Sequence, residues 1–509
     1  MLHRYLRRSF GTLTAKNWDT ESPRFLAALE KAEFVTFDFE LTGLYTKPSD
    51  RFIGVDACYE GYSEGVKAFQ PVQLGICTGR RDASGTWILT PISAFMLPAD
   101  EDAIFSTSAA TLSFLVQNGI DLNAWISQGV RWLTLAQESE RRAAIQQRIE
   151  ETRALRDAAC SAPVKPAPAK PVELPHEQDR ILVESVRKQI EAWLISGAEE
   201  PLEIEMESAF HRLLLHTVIG QEFPQIFSLS GKKGDSRVLT VFKSKGELHA
   251  KQLSALNLEI SKINSGPRLF FDVIAKRKIP VIGHNCLVDI LHACKLFEDL
   301  PTDLLSFKAR VAKIVPLIYD TRILTEQANA PATLRDLFEQ MAREATDVKI
   351  ESDSETYRLP ASCSHLTSGA VGNDKSHDAG YDALMTALIF ILNSDSALKH
   401  GGVAWGPNSM AQLESLYKHC ANKVRLVRTQ PPVLNLTVRD CGRSFRIDKL
   451  PEGWDKWKLL SVFAPVNFSI EIDGSSARLS VASEMEGQSL MKLYKINNLQ
   501  STFDLIETP

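Results

Sequence analysis

Asp38 and Glu40 close the run Phe34-Val35-Thr36-Phe37-Asp38-Phe39-Glu40, in which apolar and polar residues alternate from Val35 onward. On a strand, Val35, Phe37 and Phe39 face one way and Thr36, Asp38 and Glu40 the other. An apolar strand tolerates two carboxylates near its end when a cation sits over them, because an unpaired buried charge is costly. Two residues of strand rise span roughly 6.6 Å, which lets the pair flank two divalent ions about 3.5–4 Å apart. By itself the pattern is common, and it also suits an ordinary half-buried strand.

Two later stretches add to it. In Ile279-Pro280-Val281-Ile282-Gly283-His284-Asn285-Cys286-Leu287-Val288-Asp289-Ile290, Asp289 follows an apolar strand. In Ser376-His377-Asp378-Ala379-Gly380-Tyr381-Asp382-Ala383, His377 stands five positions before Asp382. Asp38, Glu40, Asp289 and Asp382 with His377 form a set that resembles the DEDD exonucleases of the His-x4-Asp subclass. The other subclass would have a tyrosine at position 378, where Asp378 stands; Tyr381 is out of register. Four blocks, FVTFDFELTG, VIGHNCLVDILHACKLF, YDTRIL and HDAGYDALMTALIF, resemble the poly(A)-specific ribonuclease family in wording, order and spacing.

The resemblance implies a Mg²⁺-dependent 3′-to-5′ exoribonuclease that removes poly(A) tails or trims RNA 3′ ends, releasing 5′-mononucleotides. Asp38, Glu40, Asp289 and Asp382 would hold two Mg²⁺ ions, with Mn²⁺ as a substitute, since hard cations prefer oxygen ligands. His377 would take the proton of the attacking water, a transfer that imidazole performs at cellular pH. Asp320 matches a family position and is expected to support the site rather than act in it. The family further implies a single-stranded RNA 3′ end as partner, poly(A) foremost, and a homodimer. Two other readings stay open: a trimmer of small-RNA or other non-poly(A) 3′ ends, and a catalytically idle RNA-binding protein. The intact set of five positions speaks against the idle protein.

Composition sets the outer bounds. A chain of 509 residues accommodates two to four domains. A net charge of −5 argues against a surface coated for duplex binding and leaves room for a local RNA groove. The eight cysteines form no CxxC or other zinc spacing and read as scattered thiols of a reducing compartment. Residues 1–20 are a basic tail: Arg4, Arg7, Arg8 and Lys16 precede the first acid, Asp19, and Leu2, Tyr5, Leu6 and Phe10 can share a helix face. That pattern reads either as a mitochondrial presequence or as the ordinary tail of a cytoplasmic or nuclear protein. The most apolar run, Leu384 to Leu392, is half a membrane span, so no membrane anchor is expected.

The expected fold class is α/β: an RNase H-like mixed sheet with flanking helices, an inserted Arg-x-x-x-His α/β module and a small C-terminal RRM-like α+β domain. The first half of the nuclease, 21–160, takes a helix over Ser22–Lys31 and then the acidic strand. A Gly- and Tyr-containing loop over Tyr59–Ala68, strands within 69–76 and 85–89, and helices over 107–118 and 129–160 follow. A Pro/Ala linker over 161–175 marks a boundary. The inserted module, 176–245, carries Arg212 and His216 one helical turn apart, where together they could grip an RNA phosphate.

The second half of the nuclease, 246–400, resumes with a helix over Leu248–Asn264, followed by the strand Ile279–His284. Asn285 is expected to cap the helix that holds Asp289. A strand end within Leu317–Arg322, a helix over 333–343 and an irregular loop over 351–375 lead to His377, at the entrance to the helix of Asp382. After a connector, 401–430, with a polar helix near Ser409–His419, the domain 431–509 shows strands over Leu434–Val438, Phe468–Ile472 and Ala477–Val481. Lys and Arg outnumber Asp and Glu between Ala421 and Leu460. The strands Leu434–Val438 and Ala477–Val481 lack stacking aromatics, and Glu471 stands where cap-binding relatives have Trp, so cap recognition is not expected.

Overall fold

The computed structural model describes residues 11–46, 54–159, 176–234, 236–325, 333–345, 348–373, 375–401, 409–429, 432–437, 443–466, 468–481 and 484–508. They fall into two compact units, Met1–Ala136 with Ser265–Pro509, and Gln137–Asn264. The Pro/Ala linker and the basic residues before Gly11 lie outside the described residues. Among the described residues no helix is long and apolar enough to cross a membrane.

In the first unit the alternating run forms the strand Phe34–Leu41, as its pattern requires. It belongs to a mixed sheet ordered Thr12–Leu13, Trp87–Pro98, Pro71–Arg81, Phe34–Leu41, Val281–Gly283, Ile318–Asp320, Lys423–Arg425, Val433–Asn435. The three long strands form an antiparallel meander, and Val281–Gly283 and Ile318–Asp320 join in parallel, giving the RNase H-like arrangement. Three short parallel strands, Ile350–Ser352, Thr12–Leu13 and Val130–Trp132, cover the far edge of Trp87–Pro98 at successive registers. Covered in this way, the edge offers no row of unpaired backbone groups to a second chain.

Period-two alternation sends Val35, Phe37 and Phe39 into a core with Phe25, Phe270, Phe271 and Ile290. The helices Trp18–Leu29, Arg268–Arg277 and Leu287–Lys295 supply that side. Across the sheet lies Ala379–His400, a 22-residue helix buried along most of its length. Thr36 donates from Oγ1 to the Ala383 carbonyl at 2.7 Å, so the Thr36, Asp38 and Glu40 face is the one that this helix covers.

Several local expectations are corrected. Tyr59–Ala68 is no loop but part of the helix Val55–Ala68, whose buried stripe includes Cys58, Tyr59 and Val66. Gly65 within it signals close approach rather than a turn: a Cβ there would lie 2.3 Å from the Leu44 carbonyl oxygen. The segment expected to be one helix over 129–160 starts as the strand Val130–Trp132, and only Leu135–Ala159 is helical. Val130 and Trp132 are buried and Arg131 is exposed between them, a strand alternation too short to stand out in the sequence. Residues 12–18 of the expected tail are built into the domain, because Leu13 and Trp18 are buried in its core. The irregular loop over 351–375 is pinned by buried Tyr357, Leu359, Cys363 and Leu366.

The second unit is larger than the expected 176–245. Its three-stranded antiparallel sheet, ordered Leu202–Met206, Ser236–Phe242, Phe227–Lys233, packs with the helices Glu177–Ser196 and Ala209–Glu222. The helix Lys245–Ser261, expected to resume the nuclease, belongs here instead. Its Leu253 and Leu256 form a small core with Ile145 and Ile149 of Leu135–Ala159.

Toward the C-terminus, the strand expected over Leu434–Val438 is Val433–Asn435. It pairs with Lys423–Arg425 and so extends the nuclease sheet. The RRM-like sheet instead starts at Arg443–Asp448 and runs in the order Phe468–Asp473, Ser476–Val481, Arg443–Asp448, Asp504–Thr508, all antiparallel. With the helices Lys456–Val462 and Glu484–Ile496 between strands, this is a βαββαβ domain. Phe445, Ile447, Leu479 and Leu505 point into its core. The opposite face carries Ser444, Arg446, Arg478, Ser480 and Ile506, and no aromatic ring among the described residues. Much of the basic excess is neutralised in pairs: Arg443–Glu507, Arg446–Asp448, Lys449–Asp504 and Lys456–Glu60.

Candidate active site

Asp38 lies opposite Gly75, and Glu40 opposite Gln73, in the antiparallel pair of Phe34–Leu41 and Pro71–Arg81. Gly75 leaves the space that brings the Ala379–His400 helix onto the sheet: a Cβ there would sit 1.9 Å from the Ala379 carbonyl oxygen. The helix start is fixed from both sides. Ala379 N–H donates to Gln73 Oε1 at 3.0 Å, and the Asp378 carboxylate caps the helix by accepting from Gly380 N–H at 3.0 Å. Asp382 therefore stands in the first helical turn, beside the acidic strand. His377 adopts a left-handed backbone with φ of 69°, and its N–H donates to Asp382 Oδ2 at 3.1 Å. A non-glycine residue rarely takes that conformation without support from its surroundings.

From the other face, Asp289 in the first turn of Leu287–Lys295 reaches the strand backbone, where its Oδ1 accepts from Phe39 N–H at 2.9 Å. Asn285 does not cap this helix. It is left-handed, with φ of 53°, and Cys286 holds the N-cap position without a side-chain bond. The turn is held by Asp320, whose carboxylate accepts from the N–H groups of Asn285, Arg322 and Arg425 at 3.1, 2.9 and 2.9 Å. Asp320 is thus fully occupied in tying three chain segments together, the supporting part expected for it.

Donor atoms of Glu40, His377 and Asp382 lie within 4.8 Å of one another. The Phe114 ring, from the helix Ala109–Gln117, meets the His377 imidazole edge-on, with centroids 4.8 Å apart. Burial, followed by the charges of Asp289, Asp382 and Glu40, raises the Asp38 carboxyl well above the usual range. Glu40 is raised by burial and then by Asp382 and Asp289. Burial pushes Asp289 up to about 7 against the Phe39 N–H bond. His284 and His292 flank Asp289 in the chain, and burial pushes both down to about 3, so neither exchanges protons at cellular pH. Four carboxylates gathered together, Asp38 and Glu40 half-buried and Asp289 and Asp382 buried, and repelling one another, fit divalent cations, which prefer oxygen donors.

The five residues expected to act on RNA are thus assembled from three chain segments. Arg212 and His216 belong to the second unit, on the Ala209–Glu222 helix. There His216 Nδ1 is hydrogen-bonded with Ser228 Oγ at 2.7 Å, and burial and then the Arg212 charge lower its pKa. Gln73, Gly75 and Asp378 were missed by sequence reasoning. Asp378 adjoins His377 and was legible as a cap; Gly75 had no local signal, since the helix that needs its space is some 300 residues away.

A mixed sheet carrying this carboxylate cluster beside a covering helix defines an RNase H-like nuclease. The chain belongs to the CAF1 family ribonucleases, whose family model matches residues 13–390. It is 26% identical over 499 residues to the poly(A)-specific ribonuclease PARN of Homo sapiens, spanning 92% of this chain and 75% of that one. To the pre-piRNA 3′-exonuclease trimmer of Bombyx mori it is 23% identical over 454 residues, spanning 85% and 80%. Among solved structures, S. pombe Pop2p in its Mg²⁺ and Mn²⁺ bound form is matched at a TM-score of 0.37 and 12% identity, over 77% of this chain and 94% of that chain.

Proposed function

We propose that this protein is a Mg²⁺-dependent 3′-to-5′ exoribonuclease that shortens RNA stepwise from its 3′ end, with poly(A) as the first substrate class. The observation that carries the reading is the gathering of Asp38, Glu40, Asp289 and Asp382 into one interacting cluster, with His377 beside Glu40 and Asp382. These carboxylates would hold two Mg²⁺ ions, which when bound supply charge neutralisation and Lewis acidity at the scissile phosphate.

The protein's own groups account for the rest. His377 accepts the proton of the water that attacks the terminal phosphodiester, and Phe114 limits where its ring can swing. Attack forms a bond from the water oxygen to phosphorus and breaks the bond to the 3′ oxygen of the preceding nucleotide. That oxygen takes up a proton and becomes the new 3′ end, and a 5′-mononucleotide leaves. Gly75, Gln73 and Asp378 keep Asp382 and His377 in place over Asp38, so little reorganisation accompanies the reaction. The similarity to a pre-piRNA trimmer favours a second reading of the same chemistry, trimming of non-poly(A) 3′ ends.

The test is to incubate the protein with A-tailed and heteropolymeric RNAs, with Mg²⁺ and with chelator, and resolve the products. Stepwise 5′-mononucleotides that depend on Mg²⁺ are expected. Internal fragments, or cleavage in chelator, would overturn the reading. Equal rates on both RNAs would favour the trimmer.

A further inference from the structure

Beside the catalytic groups the first unit opens a cleft of about 920 Å³, a size that accommodates a nucleotide. Its walls are the end of the Ala109–Gln117 helix, the start of the Leu334–Glu344 helix and the segment leading into Ala379–His400. His377, Asp378 and Asp382 line one side, so the cleft is continuous with the catalytic site. Two cations in its walls have no part in the catalytic set. Lys375, two residues before His377, is exposed; its Nζ donates to the Thr356 carbonyl at 3.0 Å and lies 5.5 Å from the centre of the Tyr357 ring. Arg335, in the first turn of Leu334–Glu344, pairs with Glu339 one turn on at 3.2 Å.

The acid nearest to Arg335 in the wall, Asp336, is engaged in its own helix cap: Thr333 Oγ1 donates to its carboxylate at 2.7 Å, and its N–H donates to Thr333 Oγ1 at 3.1 Å. On the catalytic side, Asp378 is likewise taken up in capping. The positive end of the Leu334–Glu344 helix dipole adds to the attraction for an anion.

We propose that this cleft is a phosphate subsite of the enzyme, in which Lys375 and Arg335 hold a nucleotide phosphate next to the one being cleaved. The proposal rests on the exoribonuclease reading and adds to it where the second phosphate lies. Arg presents a planar fork of donors and Lys a mobile point charge, and both give up an exposed intramolecular partner at little cost. Two sources carry the same chemistry: the RNA chain on the 5′ side of the scissile bond, and the 5′-mononucleotide before release.

The experiment compares the full-length wild type with Lys375→Gln, Arg335→Gln and the double variant, on oligoadenylate and with 5′-AMP as inhibitor. Both positions are exposed, the Arg335 side chain by 54%, so melting temperatures close to wild type are expected. If the cleft holds the chain phosphate, KM for oligoadenylate rises about tenfold in the double variant and depends less steeply on salt. If it holds the released nucleotide, the inhibition constant of 5′-AMP rises about tenfold instead. Either result supports the subsite; KM and inhibition constant both within twofold of wild type overturn it. A wild type that releases no mononucleotide would overturn the exoribonuclease reading separately. Binding of fluorescein-labelled oligoadenylate in Ca²⁺, followed by anisotropy, then still decides the subsite: equal affinity of wild type and double variant overturns it, and a loss of about tenfold supports it.

Discussion

Gly75 faces Asp38 across the antiparallel pair, and the volume its missing side chain leaves is filled by the Ala379 carbonyl. Gly75→Ala would set a methyl group 1.9 Å from that oxygen, a backbone atom that cannot rotate away. Overpacking of this kind costs about 1–3 kcal/mol. The helix must then back off and carry His377 and Asp382 away from the acidic strand. A kcat reduced by roughly 10²-fold, with a lower melting temperature, is expected in steady-state and calorimetric measurements. Unchanged kcat and stability would mean that the helix contact does not position the site.

Each of Asp38→Asn, Glu40→Gln, Asp289→Asn and Asp382→Asn should abolish nucleotide release while the protein stays folded. Without metal, Asp38→Asn should also melt higher than wild type, because it removes one of several mutually repelling buried charges. Full turnover by any of the four variants would remove that residue from the metal-holding set.

The pH dependence follows from the same carboxylates. Asp289 is raised to about 7 in the folded chain, whereas an aspartate in the unfolded chain titrates near 3.9. Between these values the folded, metal-free protein binds more protons than the unfolded one. The stability that this group contributes is therefore fully present below the unfolded value and is lost as pH rises through about 7. Mg²⁺ competes with those protons and should raise the melting temperature more at pH 8 than at pH 5.5. Scanning calorimetry with Mg²⁺ and with chelator reads this directly; equal gains at both pH values would contradict it.

His377→Ala should slow the single-turnover step by about 10²–10⁴-fold, the usual worth of a general base, and leave RNA affinity nearly intact. Pre-steady-state rates and equilibrium binding separate the two quantities. Lost affinity with an unchanged rate would make His377 a substrate contact instead of the base.

A methylated cap analogue should neither bind tightly nor inhibit. The outward face of the RRM-like sheet presents Arg446, Arg478, Ser444 and Ser480 and, among the described residues, no ring to sandwich a base, and Trp454 packs on Phe503 against the domain core. Trp457 is exposed and serves as the reporter. Its fluorescence in titrations with capped and uncapped dinucleotides checks the expectation, and a strong preference for the cap would reverse it.

The order of these residues along the chain carried much of the outcome. The alternation of Phe34 to Glu40 specifies a strand with acids on one face, since side-chain direction on a strand depends only on local period. The His377–Asp382 spacing, likewise, is local: a capped helix start brings the two together whatever lies around it. Tertiary structure decided the rest. Which glycine must stay bare, which acid ties the turn before Asp289, and which sheet Val433–Asn435 joins all depend on segments far apart in sequence. The helix Lys245–Ser261 belongs to the second unit for the same reason. Its own pattern says that it has an apolar side, and only packing against Ile145 and Ile149 says where that side is buried. Local period and capping are properties of a few neighbouring residues, whereas burial is a property of whatever the folded chain brings alongside them.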